Sequence, residues 1–330
     1  MTPLRRLVLV LACTLSLFAP CAAMADAAGR SLSRPRPSSL AAGFQRGAAW
    51  SVSIFMFVPG EEEPRVGSGF FIDDRGAIAT AAHLLGEAQQ ILVALPDRRV
   101  VAAELEGADP NADIALLRVA APTRVRPVFA RSGSVRVGDW VMAVGQPFGL
   151  ERSVAVGVVS GKDRHFIDDG ELMFIQSDVA LNPGNSGGPL LDADGAIIGM
   201  NARTIVGPVG TPGASLAIPI DIVLQVTGEL RRDSRAPHRP RLGVQFDDVP
   251  PLMAWNAGRR DTSGAVILSV PHGSLGEQLQ LRAGDIVTMM NGRPIAASSD
   301  LVATLLAWRS LPDTTIVVQR AGRELLLGQE

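Results

Sequence analysis

"GSGFFIDDRGAIATAAH" (Gly67–His83) and "NSGGPLLDADGAIIGMN" (Asn185–Asn201) are two passes through one pattern: an apolar strand, an acidic turn closed by glycine, and a second apolar strand. The turns DDRG and DADG suit hairpins with glycine at a left-handed position. Short apolar runs recur around both copies, over Ser51–Val58, Ile91–Leu95, Ile114–Val119, Trp140–Val144 and Val154–Ser160. Regularly spaced strands with turn residues between them predict an all-β region from Trp50 to Ile220, built as two barrels on a similar plan. His83 follows the second strand of the first copy and Ser186 precedes the first strand of the other. Both then lie at strand ends, where two barrels can face each other across a cleft.

Composition sets the outer limits. A chain of 330 residues is long enough for two or three domains, each with its own core. A charged fraction of 19% against 47% hydrophobic argues against disorder for the chain as a whole. The formal charge of −2 supplies no basic field, so nucleic acid is not an expected partner.

The chain opens as a targeting segment. Arg5 and Arg6 precede the apolar run Leu7–Phe18, and Ala23-Met24-Ala25 offers small residues for cleavage. Residues 1–25 are expected to be a signal peptide, with an uncleaved anchor as the alternative; the run is short for a membrane span. Both cysteines, Cys13 and Cys21, lie inside it. The mature protein would then have neither disulfide nor thiolate, which fits a periplasmic location. Residues 26–46, rich in Ser, Pro and Arg, read as a flexible lead-in; 47–230 as the all-β domain; 231–240 as a linker; and 241–330 as a third compact region. Asp221–Arg232 has helical spacing and ends on basic residues.

"NPGNSGGPL" (Asn182–Leu190) surrounds one serine with residues that bury little apolar surface. Glycine costs stability in regular structure, so this cluster must answer a backbone demand. A serine nucleophile needs a base, and the chain has four histidines. His165, His238 and His272 sit in charged or polar stretches and read as surface residues. His83, in "IATAAHLL", stands at the end of an apolar strand. Asp113 in "ADPNADIALLRV" opens another strand and can orient the imidazole, while Asp109, before Pro110, suits an ordinary turn. The assignment is Ser186 as nucleophile, His83 as base then acid, and Asp113 as orienting carboxylate. Gly184, Asn185 and Ser186 form the expected oxyanion-binding turn, with the amides of Gly184 and Ser186 as donors. No cluster has metal-ligand spacing, and no cofactor is expected.

These stretches, with "GQPFGL" (Gly145–Leu150), "FIQSDVALNPGNSGGPLLDADGAIIGMN" and "LAIPI" (Leu216–Ile220), resemble the HtrA/Deg family of trypsin-like serine proteases carrying a C-terminal PDZ domain. The intervals of 30 residues from His83 to Asp113 and 73 from Asp113 to Ser186 fit as well. The resemblance implies a chymotrypsin-like all-β double barrel followed by an α+β PDZ domain. It implies endopeptidase action on unfolded or damaged proteins and a homotrimer. It also implies substrate pairing along Ser215, Leu216 and Ala217, and a small apolar pocket taking Val, Ala or Ile. Arg164 in "SGKDRHF" resembles the arginine of the family's sensor loop, though its neighbours depart from the usual form. Arg241, Leu242, Gly243 and Val244 resemble a loop that holds a peptide's C-terminal carboxylate, with Ser299–Trp308 as the groove helix. "LRAGDIVTMMNGRPI" (Leu281–Ile295) carries most of that likeness. The alternative from another class is a catalytically idle peptide-binding protein of the same fold.

Overall fold

The computed structural model describes residues 39–121, 126–146, 153–166, 172–205, 213–233, 240–312 and 314–328. The expected signal peptide, most of the expected lead-in, residues 147–150 of "GQPFGL", and most of the expected linker lie outside them.

The first barrel comprises β1 (Ser51–Phe57), β2 (Arg65–Phe71), β3 (Ala77–Thr80), β4 (Gln90–Ala94), β5 (Val100–Asp109) and β6 (Ile114–Val119). It closes in the order β1-β2-β3-β6-β5-β4, every neighbour antiparallel. In β1 the alternation of SVSIFMF sends Val52, Ile54 and Met56 inward, as a two-residue repeat requires. β6 is apolar throughout for a different reason. Ala115, Leu117 and Val119 fill the barrel, while Ile114 and Leu116 point the other way into a second core.

The second barrel comprises β7 (Trp140–Gly145), β8 (Ser153–His165), β9 (Met173–Ser177), β10 (Pro189–Asp192), β11 (Ile197–Thr204) and β12 (Ser215–Pro219). It closes in the order β10-β11-β12-β9-β8-β7. Val141, Ala143, Val159, Ile175, Leu190, Ile198 and Ala217 make its interior.

The sequence echo has a physical counterpart in the two hairpins. Asp73 Oδ1 accepts from the amides of Arg75 and Ala77, both at 2.9 Å. Asp192 Oδ1 accepts from those of Asp194 and Ala196, again both at 2.9 Å. Gly76 and Gly195 close the turns at φ +94° and +83°, where a side chain is disfavoured.

Helix α1 (Leu40–Ala48) corrects the lead-in expected to remain flexible as far as residue 46. Gly43 and Gly47 allow it to lie directly on the β10–β11 hairpin. A Cβ at Gly43 would run into the Ala193 carbonyl oxygen, and one at Gly47 into Leu191. Arg46 Nε then donates to Asp194 O at 2.7 Å. The bare composition hid this, because the packing needs the absence of side chains.

Short helix α2 (Ala82–Leu85) follows β3, and α3 (Ile220–Leu230) follows β12. Helix α3 lies against β5, β6, β11 and β12, joining the barrels, and buries Ile222, Val223, Val226 and Leu230.

The third region holds β13 (Gln245–Asp248), α4 (Pro251–Asn256), β14 (Ala265–Ser269), α5 (Leu275–Gln278), β15 (Ile286–Met290), β16 (Arg293–Pro294), α6 (Ser298–Ala307), β17 (Thr315–Arg320) and β18 (Arg323–Gly328). Its sheet runs β13-β14-β15-β17-β18, with β16 on β15, and β13 is an edge strand. Within "LRAGDIV", Asp285 is buried and takes a two-point ion pair from Arg320, at 2.6 and 2.7 Å.

Candidate active site

His83 occupies the short turn α2, and Asp113 holds it from the start of β6. The Asp113 carboxylate accepts from the His83 amide at 2.9 Å, and its two oxygens lie 3.0 and 2.8 Å from His83 Nδ1. Its own carbonyl accepts from the Ala82 amide at 3.2 Å. Asp113 reaches these partners from φ +53°, a left-handed conformation uncommon outside glycine but tolerated by Asp. The hydrogen bond to Asp113 raises the His83 pKa above its ordinary value; partial burial opposes this, and the carboxylate's charge adds to it. With Nδ1–H facing Asp113, Nε2 is left as the basic nitrogen. Asp109 instead closes the preceding turn, accepting from the amides of Asn111 and Ala112.

The serine turn is set by alternating main-chain partners. Asn185 N–H donates to Asn182 O at 3.0 Å, Gly187 N–H to Asn201 O at 2.8 Å, and Gly188 N–H to Asn185 O at 3.0 Å. From β2, Ser68 Oγ donates to Gly184 O at 2.6 Å, and Ser68 N–H to Ser186 O at 3.0 Å. Pro183 followed by Gly184 at φ +103° fits a type II turn over Asn182–Asn185. Within Gly184–Gly188 the amides left without an acceptor among the described residues are those of Gly184 and Ser186. Two unspent amides two residues apart, in a largely buried turn, form an anion-binding arrangement.

Gly187 brings this turn against the histidine side of the cleft. A Cβ there would lie 2.5 Å from Thr80 Oγ1 and 2.8 Å from Ala81 N, two residues short of His83. Ser186 Oγ has no hydrogen-bond partner among the described residues in this conformer.

Two expectations are corrected, and the part of Asn185 in the oxyanion turn is narrowed to holding its shape. Asn185 does not offer its amide to an oxyanion, because that N–H closes the turn on Asn182. Ser215, Leu216 and Ala217 cannot accept an added strand, because both edges of β12 are occupied at those residues. Ser215 pairs with Thr204 and Ser177, Leu216 with Arg203 and Gln176, and Ala217 with Asn201 and Ile175. The side chains of Ser215, Leu216 and Ala217 are buried as well. His165, read as a solvated surface residue, is instead packed against the third region. Its ring stacks on Phe246 at 4.4 Å, its Nδ1 lies 3.1 Å from Leu172 O, and its Nε2 lies 3.1 Å from Phe246 O.

Arg164, one residue earlier, is exposed on β8 opposite Phe174. Arg203 lies over the rings of Phe166 and Phe174, 5.9 Å from each centroid. In the third region Arg241–Val244 leads into edge strand β13, with Gly243 at φ +65° and Leu242 O accepting from the Gly276 amide at 2.8 Å. Helix α6 lies beside β13 and also touches β8. Its far end is tied to α3. Gln225 Nε2 donates to Leu306 O at 3.1 Å, and Arg309 donates to Glu229 at 2.6 Å. Sequence reasoning missed Ser68, although it stands inside the "GSGF" motif.

Residues 67–200 match a family model described as a trypsin-like peptidase domain. A "Probable periplasmic serine endoprotease DegP-like" from Ectopseudomonas mendocina (strain ymp) is 39% identical over 240 residues, spanning 73% of this chain and 50% of that protein. A protein of the same description from Halomonas elongata is 41% identical over 241 residues, spanning 73% and 51%. The chain thus spans about half the length of the curated relatives it matches. Among solved structures, the HtrA-type protease AlgW with tripeptide superposes with a TM-score of 0.74 at 30% identity, covering 88% of this chain and 95% of that one. The serine endoprotease from Yersinia pestis, at 24% identity and a TM-score of 0.61, shares the fold. With two six-stranded barrels, a histidine seated on an aspartate and a glycine-rich serine turn between them, the chain belongs to the HtrA/Deg family of trypsin-like serine proteases.

Proposed function

We propose that this protein is a periplasmic serine endopeptidase that cleaves unfolded or damaged proteins through a Ser186 acyl-enzyme, works as a homotrimer, and binds peptide C-termini at its third region. The observation that carries the chemistry is the serine turn itself, whose hydrogen bonds leave the amides of Gly184 and Ser186 unspent beside a barrel that holds His83 on Asp113. Ser186 Oγ attacks the substrate carbonyl as its proton passes to His83 Nε2, and the two amides receive the charge that develops on the carbonyl oxygen. As the tetrahedral intermediate collapses, the C–N bond breaks and the proton moves from His83 to the leaving amine. A water molecule then repeats the sequence on the ester, giving a carboxylic acid and restoring Ser186. Peptide binding fits the edge strand β13 and the Gly243 turn before it.

Labelling with a fluorophosphonate probe, alongside casein digestion, tests this. The wild type should react and digest, and Ser186→Ala should do neither. A wild type that folds, resists the probe and leaves casein intact removes the endopeptidase reading and favours an idle peptide-binding protein.

A further inference from the structure

We propose that Ser68, on the first barrel, is the positioning residue that keeps the oxyanion turn of the second barrel in its anion-binding form. The inference rests on the acyl-transfer reading above. Ser68 is fully buried and all its polar groups are engaged. Its hydroxyl accepts from the Gln146 amide at 3.2 Å and donates to Gly184 O at 2.6 Å, so the accepted bond fixes the direction of the donated one. Its amide donates to Ser186 O at 3.0 Å, and its carbonyl accepts from Thr80 Oγ1 at 2.7 Å. One residue therefore ties β3, which leads to His83, to the two carbonyls that flank the nucleophile turn.

What matters is which peptide planes are held. The Gly184–Asn185 plane is bound at both ends, by Ser68 Oγ and by Asn182 O. The Ser186–Gly187 plane is likewise bound at both ends, by Ser68 N–H and by Asn201 O. The Pro183–Gly184 plane has no such anchor among the described residues. Types I and II of the turn differ mainly by a half-rotation of this central plane, with the second residue at φ about −90° in one and +80° in the other. That rotation would carry the Gly184 N–H away from its neighbour at Ser186 and put the Pro183 carbonyl in its place. Gly184 stands at φ +103°, so the unrotated form is the one present. The Ser68 hydroxyl holds the plane next in line, against which the Gly184 N–H takes its direction. Without that bond, a buried Gly184 carbonyl loses its partner, and the turn relaxes to recover one, carrying the Gly184 N–H out of line.

The test uses the full chain, as wild type, Ser68→Ala and Ser68→Cys, the last keeping a weak S–H donor. Removing one oxyanion donor outright costs about 100- to 1,000-fold in rate. Partial misalignment in Ser68→Ala should lower kcat by about 10- to 100-fold, with KM within about twofold, and Ser68→Cys should fall between. A peptide boronic acid, whose adduct places an oxygen in the same hole, should weaken in parallel with kcat. The pH midpoint of kcat/KM should not move, because His83 and Asp113 are untouched; general damage to the site would move it. Wild-type kcat in Ser68→Ala overturns the assignment, as does a loss accompanied by a shifted pH midpoint and raised KM. If Ser68→Ala fails to fold, Ser68→Cys decides alone: at least a fivefold loss of kcat upholds the assignment, and a smaller loss overturns it. A wild type inert to substrate and fluorophosphonate would mean that the acyl-transfer reading has failed, a distinct result.

Discussion

At the scale of single residues, the pair His83–Asp113 makes a pH prediction with a definite sign. A base must be neutral to take the Ser186 proton, and its carboxylate neighbour raises the pKa above the ordinary imidazole value of 6.5. Activity should therefore disappear on the acid side, and the acid limb of kcat/KM should have its midpoint above 6.5. Asp113→Asn removes the charge and replaces one of the two acceptor oxygens facing His83 Nδ1 with an amide donor. The midpoint should then move down, and the plateau should fall about 10,000-fold because the imidazole tautomer is no longer fixed. A wild-type midpoint at or below the ordinary value would contradict the geometry. The residues of this pair were legible in the sequence because a strand end and a strand start are visible as breaks in apolar runs. Ser68 was not legible in the same way. A serine in a β-strand reads as a neutral filler until the turn that it holds, more than a hundred residues away, is seen to lie against it.

Among secondary-structure elements, the hairpin echo was the most readable feature, since an aspartate and a positive-φ glycine at these fixed offsets build a tight turn by themselves. Helix α1 shows where that kind of reading stops. Gly43 lowers helix propensity, so LAAGFQRGA looks weak locally, yet its glycines are what allow contact with the β10–β11 hairpin. The competition between these terms is measurable. Gly43→Ala gains about 0.5–1 kcal/mol of intrinsic helix stability. It also drives a Cβ into the backbone oxygen of Ala193, and overpacking of this kind costs about 1–3 kcal/mol. We expect a net loss of roughly 1–2 kcal/mol in chemical denaturation. A stabilised variant would mean that the helix moves away at little cost.

At the scale of the whole molecule, hydrogen bonds among the described residues tie the third region to the barrels at His165 and at α3. His165 takes a carbonyl of edge strand β13, and Arg309 with Gln225 and Glu229 ties α6 to α3. A peptide that adds to the β13 edge at Phe246 would compete with His165 for that carbonyl. His165→Ala should raise amide hydrogen exchange in the segment around Phe246, with α3 unchanged, and should tighten binding of a peptide ending in an apolar residue. Arg309→Ala should raise exchange at the end of α6 and leave Phe246 protected. Equal exchange in His165→Ala and wild type would show that the ring adds nothing to the attachment. None of this was visible from composition around His165, where acidic neighbours suggested a solvated loop.

The sequence by itself determined the two-barrel plan, the hairpin turns and the residue types proposed for catalysis, because each follows from local rules of alternation, turn stereochemistry and strand ends. Only the tertiary structure decided which amides of the serine turn remain unspent, that β12 has no open edge at Ser215–Ala217, and that Ser68 and His165 act across long separations. Those outcomes depend on which hydrogen-bonding groups are already paired, and pairing between distant segments is fixed when the barrels close.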